Sequence, residues 1–182
     1  MFGAETKLLK RLKRAVLGED GSATVEFVII FPAIMTLFLS SFEVSIFLMR
    51  SVMLDRALDI NVRALRLGKF GSTESDELKR RVCEAALVFK GCPDAVKIEL
   101  TKVPKTTWAL PNGRTPCVDR SAPLSPATTP LNLGEGNDLM VVRACAALDP
   151  VFGTTPMIMN LPVDATGAYM VTAASTFVNE PK

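Results

Sequence analysis

The chain has 182 residues, 48% of them hydrophobic, with four cysteines, no histidine and a formal net charge of +2. The length suits one domain of ordinary size, and the missing histidine excludes His-dependent catalytic triads and His-bearing zinc sites. With residues 1–21 set aside, 16 basic and 16 acidic residues remain. The body of the chain therefore carries no basic footprint for a nucleic-acid partner.

Residues 1–21 form a basic tail with Lys7, Lys10, Arg11, Lys13 and Arg14. An apolar block follows. Phe27–Phe42 has 16 residues without a charge, and the run reaches Met49 if Glu43 is admitted. A bilayer core needs about 20 apolar residues as helix, so residues 22–49 are long enough to span it. A secretory signal peptide fits the basic tail, but its apolar region is only about 7–15 residues, and here "LFLSSFEVSIFLM" continues where the cut should come. A plain signal anchor explains tail and length but not Glu26. A type IV prepilin explains all three. Its recognition site is a glycine after a charged leader, with glutamate fifth after the cut and an aromatic next. Gly21, Ser22, Glu26 and Phe27 fall into that order, with the cut between Gly21 and Ser22.

Insertion is compatible with the glutamate. Phe27–Phe42 holds ten Phe, Ile, Leu or Val residues, each worth about −0.3 to −0.6 kcal/mol on the insertion scale, against about +2.5 to +3.5 for a central Asp. Glu26 lies near the end of the span, where water is closer. An intramembrane ionisable residue is a functional hypothesis by default. In a helical pilus its partner is the α-amine that cleavage creates on a neighbouring subunit; the alternative is snorkelling to headgroups.

The helix has no reason to stop at the membrane. The first glycine after the span is Gly68 and the next proline is Pro93. Leu54, Leu58, Val62 and Leu65 fall at helical spacing, as do Met53, Ala57, Ile60, Ala64 and Leu67. One helix from Ser22 to Leu67 would be about 69 Å long, at about 1.5 Å per residue. Pro32 should bend it. Residues 50–68 are thus an extracytoplasmic extension of the same helix, and 69–182 form a separate domain. There Ser72 or Thr73 caps a second helix with a stripe of Leu78, Val82, Ala85 and Phe89, which Gly91 ends. "AVKIEL" alternates as a strand with Val96, Ile98 and Leu100 on one face. Six prolines between Pro104 and Pro130 make 104–138 a long loop, which Trp108 is expected to pin to the body, with a contact residue as the alternative. "LMVVRACAA" is a strand with Met140, Val142, Ala144 and Ala146 inward and Arg143 and Cys145 on the other side, and "AYMVTAASTFV" is the last strand. The fold class read from these elements is α+β: a long N-terminal transmembrane helix running into a small antiparallel sheet plus helix, pilin-like in shape.

Cys83, Cys92, Cys117 and Cys145 contain no C-x-x-C and match neither a zinc ribbon nor a thioredoxin motif. Their even count downstream of a span points to disulfides in an oxidising compartment, with buried free thiols as the alternative. The most local pairing joins Cys83 to Cys92, if the chain reverses at Gly91, and Cys117 to Cys145. Five Lys/Arg flank the span on each side, so the positive-inside rule is silent. The cysteines break the tie by placing the C-terminal domain outside the cytoplasm.

Gly21, Glu26 and Phe27 before a long helix resemble the Flp/Tad (tight adherence) class of type IV prepilins. The chain also resembles the TadE-like pseudopilins of that system in "VEFVIIFPAIMTLFLSSFEVSIF" with its second intramembrane carboxylate Glu43, in "DRALDINVRALRLG", in "ELKRRVCEAALVFKGC", in "LMVVRAC" and in the ending "FVNEP". The resemblance implies a minor pilin or assembly protein of the bacterial inner membrane, with a cytoplasmic N-terminus and a periplasmic C-terminal domain. Its implied partners are a prepilin peptidase cutting after Gly21, other pilin or pseudopilin subunits and the Tad machinery. It implies no cofactor and no catalytic role. The competing readings are an unprocessed single-pass anchor carrying a periplasmic binding or structural module, and an anchored enzyme. The chain has no nucleophile elbow, P-loop, dinucleotide fingerprint or metal constellation, and Asp55 with Asp59 reads as a solvated helix face.

Overall fold

The computed structural model describes residues 22–67, 75–86, 91–111, 113, 117–118, 120, 134–153, 155, 160–161 and 163–180. The described elements are α1 (Ser22–Arg66), α2 (Ser75–Ala85), a single helical turn α3 (Cys92–Ala95), β1 (Val96–Lys102), β2 (Leu139–Leu148) and β3 (Tyr169–Val178). The α+β class read from the sequence is the observed one. Two compact units divide between Ser41 and Phe42, inside α1.

The first unit contains the N-terminal turns of α1. From Ala23 to Phe38 every side chain is exposed, including Ile29 at 69% and Leu37 at 71%. The helix is long and apolar enough to cross a membrane. Bare phenylalanines and isoleucines on all faces are unfavourable in water, at about 25 cal/mol per Å² of apolar surface, and suit hydrocarbon.

In the second unit α1 turns amphipathic, and one stripe of it enters a core. Leu54, Leu58, Val62 and Leu65 are buried, at steps of four, four and three residues. Ile60, six residues from Leu54, comes round to the far side and is 53% exposed. From α2 the core takes Leu78 and Val82, then Ala86 just beyond the helix. Ala85, expected in that stripe, is exposed; the spacing 78, 82, 86 keeps one face, and Ala85 falls beside it. Phe89 and the capping candidates Ser72 and Thr73 lie outside the described residues.

The sheet is antiparallel in the order β1-β2-β3. Its register puts Ile98, Ala144 and Ala173 on one rung, and Val96, Ala146 and Val171 on the next. All six are buried. The alternation in β1 is hydrophobic-in, polar-out; β3 alternates in burial too, but its outward face mixes Thr172 and Thr176 with Met170, Ala174 and Val178. In β2 the second face is buried as well, through Val141, Cys145 and Ala147. Part of the proline-rich connection covers it. Cys117 is bonded to Cys145, and Arg143 donates to the Gly113 carbonyl at 3.3 Å and pairs with its cross-strand neighbour Glu99 at 2.5 Å.

Gly91 takes φ +66°, Pro93 opens the single turn of α3, and β1 starts directly after it. This left-handed glycine reverses the chain, and the Cα atoms of Cys83 and Cys92 come to 5.6 Å in a disulfide. At the other end of the sheet, Asp138 is buried and accepts from Lys102 at 2.5 Å, Lys105 at 3.1 Å and the Glu135 N–H at 2.9 Å. The bond from Lys102, followed by that from the Glu135 amide, holds its carboxyl well below the usual carboxylate range. Gly134 opens this turn at φ +66°, where a Cβ would stand 2.9 Å from the Met140 sulfur. Arg66, in the last turn of α1, pairs with Glu180 at 3.1 Å. Trp108, expected to pin its loop, is instead 65% exposed. Its N–H donates to the Pro104 carbonyl at 2.8 Å in a tight turn, and its own φ is +53°, so the turn points the ring into solvent.

Candidate functional site

The residues singled out at the N-terminus divide between those the structure places and those it does not. Gly21 lies outside the described residues. Ser22 is the first residue of α1. Glu26 follows one turn later and is exposed, as are its neighbours. Phe27 is 61% exposed, with its ring 5.0 Å from that of Phe31. The carboxylate of Glu26 therefore projects from an apolar helix with phenylalanine and isoleucine around it. In hydrocarbon such a group calls for a partner.

Glu43 has a different surrounding. Read from the sequence as a second intramembrane carboxylate, it is fully buried in the second unit. One oxygen accepts the Val151 N–H at 3.2 Å and the other the Phe152 N–H at 2.8 Å. The physical reason is that the loop after β2 turns away from the sheet and presents two main-chain donors. A buried donor without an acceptor costs about 1–3 kcal/mol.

Seven residues on, and so on the same face of α1, Arg50 serves the same loop with the opposite charge. It donates to the Asp149 carbonyl at 2.9 Å and to the Tyr169 hydroxyl, and its guanidinium carbon lies 5.7 Å from the centre of the Tyr169 ring. Phe47, between them, meets the same ring at 5.5 Å. Burial pushes the Tyr169 phenol up, and Arg50 opposes the shift. Glu43 and Arg50 thus hold residues 149–152 as a clamp, one taking N–H groups and the other a carbonyl.

Sequence reasoning missed Arg50 and the docking of Glu43. The available signal was the spacing 43, 47, 50 and 54, a charged pair enclosing an aromatic on the face that continues into the Leu54 stripe. It also missed Asn61, buried with its side-chain N–H₂ on the Ala57 carbonyl at 2.8 Å. Asp55 and Asp59 stay on the exposed face. Burial and then the repulsion of Asp59 raise the Asp55 carboxyl. The four cysteines form two disulfides, Cys83–Cys92 and Cys117–Cys145, with the second pair of Cα atoms 5.0 Å apart. Both Cα separations lie within the range such bridges use.

Neither a curated protein nor a solved structure matches the chain. Residues 21–60 match the model of a family described as TadE-like protein. The match opens at Gly21, takes in Glu26, Phe27, Glu43 and Arg50, and ends within α1, before the sheet. The segment that carries the apolar helix, Glu43 and Arg50 is thus similar to TadE-like proteins.

Proposed function

We propose that this chain is a minor pseudopilin, or pilus assembly protein, of the Tad (tight adherence) system. It is cut between Gly21 and Ser22 by a prepilin peptidase, anchored in the inner membrane by the first turns of α1, and acts in Flp pilus biogenesis with its disulfide-bonded domain in the periplasm. The observation that carries this reading is the coincidence at one point of the chain. The TadE-like match opens at Gly21, the apolar helix α1 includes Ser22, and Glu26 stands exposed in apolar surroundings one turn later. A new α-amine at Ser22, on a neighbouring subunit, supplies the charge that Glu26 needs. The two disulfides suit an oxidising compartment. The role is one of assembly, with no residue cast as a catalyst.

N-terminal sequencing of the membrane-extracted protein tests it. A mature chain starting at Ser22, and a full-length chain from a Gly21→Leu variant, are the expected results. A wild-type chain that keeps Met1 in cells with an active prepilin peptidase would leave an unprocessed anchor with a periplasmic binding or structural module. Glu26→Ala should be cut and membrane-bound but fail to restore pili, because removing one member of a desolvated charge pair costs about 3–5 kcal/mol.

A further inference from the structure

Trp108 is the chain's single tryptophan, and its ring stands 65% exposed. Its φ of +53° lies in the left-handed region, where a bulky side chain is an outlier. Strain of that kind persists only where the surroundings hold it, and here they do. Val103 is buried and donates to the Leu139 carbonyl at 2.9 Å, and the Trp108 N–H closes on the Pro104 carbonyl at 2.8 Å. The Ala109 N–H donates to the Thr107 hydroxyl at 3.4 Å. Lys102 and Lys105 both pair with the buried Asp138, which ties the root of the turn to the start of β2. A strained backbone is thus fixed in a conformation that displays the ring.

The tip offers no charge of its own. Thr106, Thr107, Trp108, Ala109 and Leu110 are uncharged and exposed, Leu110 at 60%, and Lys105 before them is matched by Asp138. A tryptophan held rigid before binding loses little conformational freedom on docking, and tryptophan is among the residues enriched as anchors of protein interfaces.

The opposite edge of the sheet has a surface that suits it. β1 carries Lys97, Glu99 and Lys102, whereas the 10 residues of β3 include neither a charge nor a proline. Charges and prolines are the usual guards of an edge strand. β3 pairs with β2 in an unbroken register, and among the described residues its other side meets only Val163, at Tyr169. Its outer face is open as well. Thr172, Ala174 and Thr176 are exposed, with Met170 at 39% and Val178 at 49%. Tip and strand share a level in the sheet: Val103, from which the tip departs, is bonded to Leu139, and Leu139 is the register partner of Val178. The tip therefore leaves one edge of the sheet on the rung where the exposed end of β3 stands at the other.

We propose that Trp108 docks on the outer face of β3, at Thr176 and Val178, of a second copy of this chain. Knob and receptor are different surfaces at opposite edges of one sheet, so the contact is head-to-tail and can repeat from copy to copy. Neither surface carries a charge that opposes it. A tryptophan buries about 150–250 Å², whereas stable complexes bury about 1,200–2,000 Å². The contact is accordingly weak between free chains and becomes populated where a shared membrane concentrates them. It rests on the membrane-anchor reading in that respect, and needs neither the cut at Gly21 nor the amine at Ser22.

The test uses the full-length protein, disulfides intact, in phosphatidylcholine nanodiscs that hold one chain or several. The single tryptophan is the reporter. With one chain per disc, aqueous iodide should reach Trp108; with several, iodide quenching should fall by about twofold or more and the emission should move to the blue. Val178→Glu, with its thermal midpoint near that of the wild type, should abolish both changes, and Thr176→Lys serves if that variant does not fold. Equal quenching in the two kinds of disc overturns the proposal. So does shielding that persists in both Val178→Glu and Thr176→Lys, which places the ring elsewhere on its neighbour. Shielding already present with one chain per disc, together with quenching by acyl-brominated lipid, assigns the ring to lipid and overturns it too. A chain that does not enter the discs overturns the anchor reading itself, and the contact with it.

Discussion

Replacing Glu43 by alanine removes the only acceptors that the described residues offer to the Val151 and Phe152 N–H groups, at 3.2 and 2.8 Å. A hydrogen bond to a charged group is worth about 1.5–3 kcal/mol net, so the upper limit for two is about 6 kcal/mol. The real loss is smaller, because Val151 is half exposed and water reaches its amide once the carboxylate is gone. The Phe152 bond is the shorter and better covered of the two. A loss of about 3 kcal/mol is therefore expected, which for a unit of this size lowers the thermal midpoint by about 6–12 °C. Glu43→Gln keeps one acceptor oxygen but sets its N–H₂ against a second donor, and should lose about half as much. The assay is thermal unfolding of the full chain in detergent with disulfides intact, paired with hydrogen exchange at amides 151 and 152. Those two amides should exchange faster in both variants, while amides of β2 such as Ala144 keep their protection. An Ala variant with the wild-type midpoint and unchanged exchange at 151 and 152 would refute the clamp.

Leu58→Ala empties a fully buried site where α1 meets the sheet and should cost about 2–5 kcal/mol, read as a lower urea midpoint with unchanged slope. Cys117→Ser frees the segment over the outer face of β2; the 28-residue separation gives about 3–4 kcal/mol in the chain-entropy model, and limited proteolysis should cut within 104–138 in the variant before it does so in the wild type. Acid should weaken the second unit in a defined sense. Asp138 is held below its ordinary range by Lys102 and the Glu135 amide, and Glu77 is held at about 2 by Arg80 and Arg81. Carboxyls with depressed folded values contribute stability above their unfolded values of about 4, and lose it as pH falls through the folded ones. Urea midpoints should accordingly fall below about pH 4, and fall less steeply in Asp138→Asn.

The secondary structure was legible because it depends on periodicity, which a sequence carries directly. Val96, Ile98 and Leu100 alternate, and Leu54, Leu58, Val62 and Leu65 repeat at helical spacing; each pattern is a local consequence of backbone geometry. The helix reversal was legible through Gly91, since few residues other than glycine take φ +66° without strain. The proposed processing segment is likewise read from order along the chain: Gly21, Ser22, Glu26 and Phe27 are taken by position, and they fall within the residues that match the TadE-like family.

What the sequence could not supply was which side chain meets which main-chain group far away in the chain. Glu43 and Val151 are separated by 108 residues, and nothing local marks the loop after β2 as a pair of donors waiting for a carboxylate. Arg50 looks like an ordinary basic flank until Tyr169 and the Asp149 carbonyl are brought to it. Trp108 shows the same limit from the other side: a lone tryptophan in a long loop is expected to bury its ring, yet the turn closed on the Pro104 carbonyl leaves it in solvent. Periodicity and residue order determine the helix, the strands and the candidate processing site, because those are properties of neighbouring residues. Which residues of α1 enter the core of the second unit, and the fate of Glu43 and Arg50, were decided by tertiary structure, because a buried carboxylate is stable only where a distant segment delivers its donors.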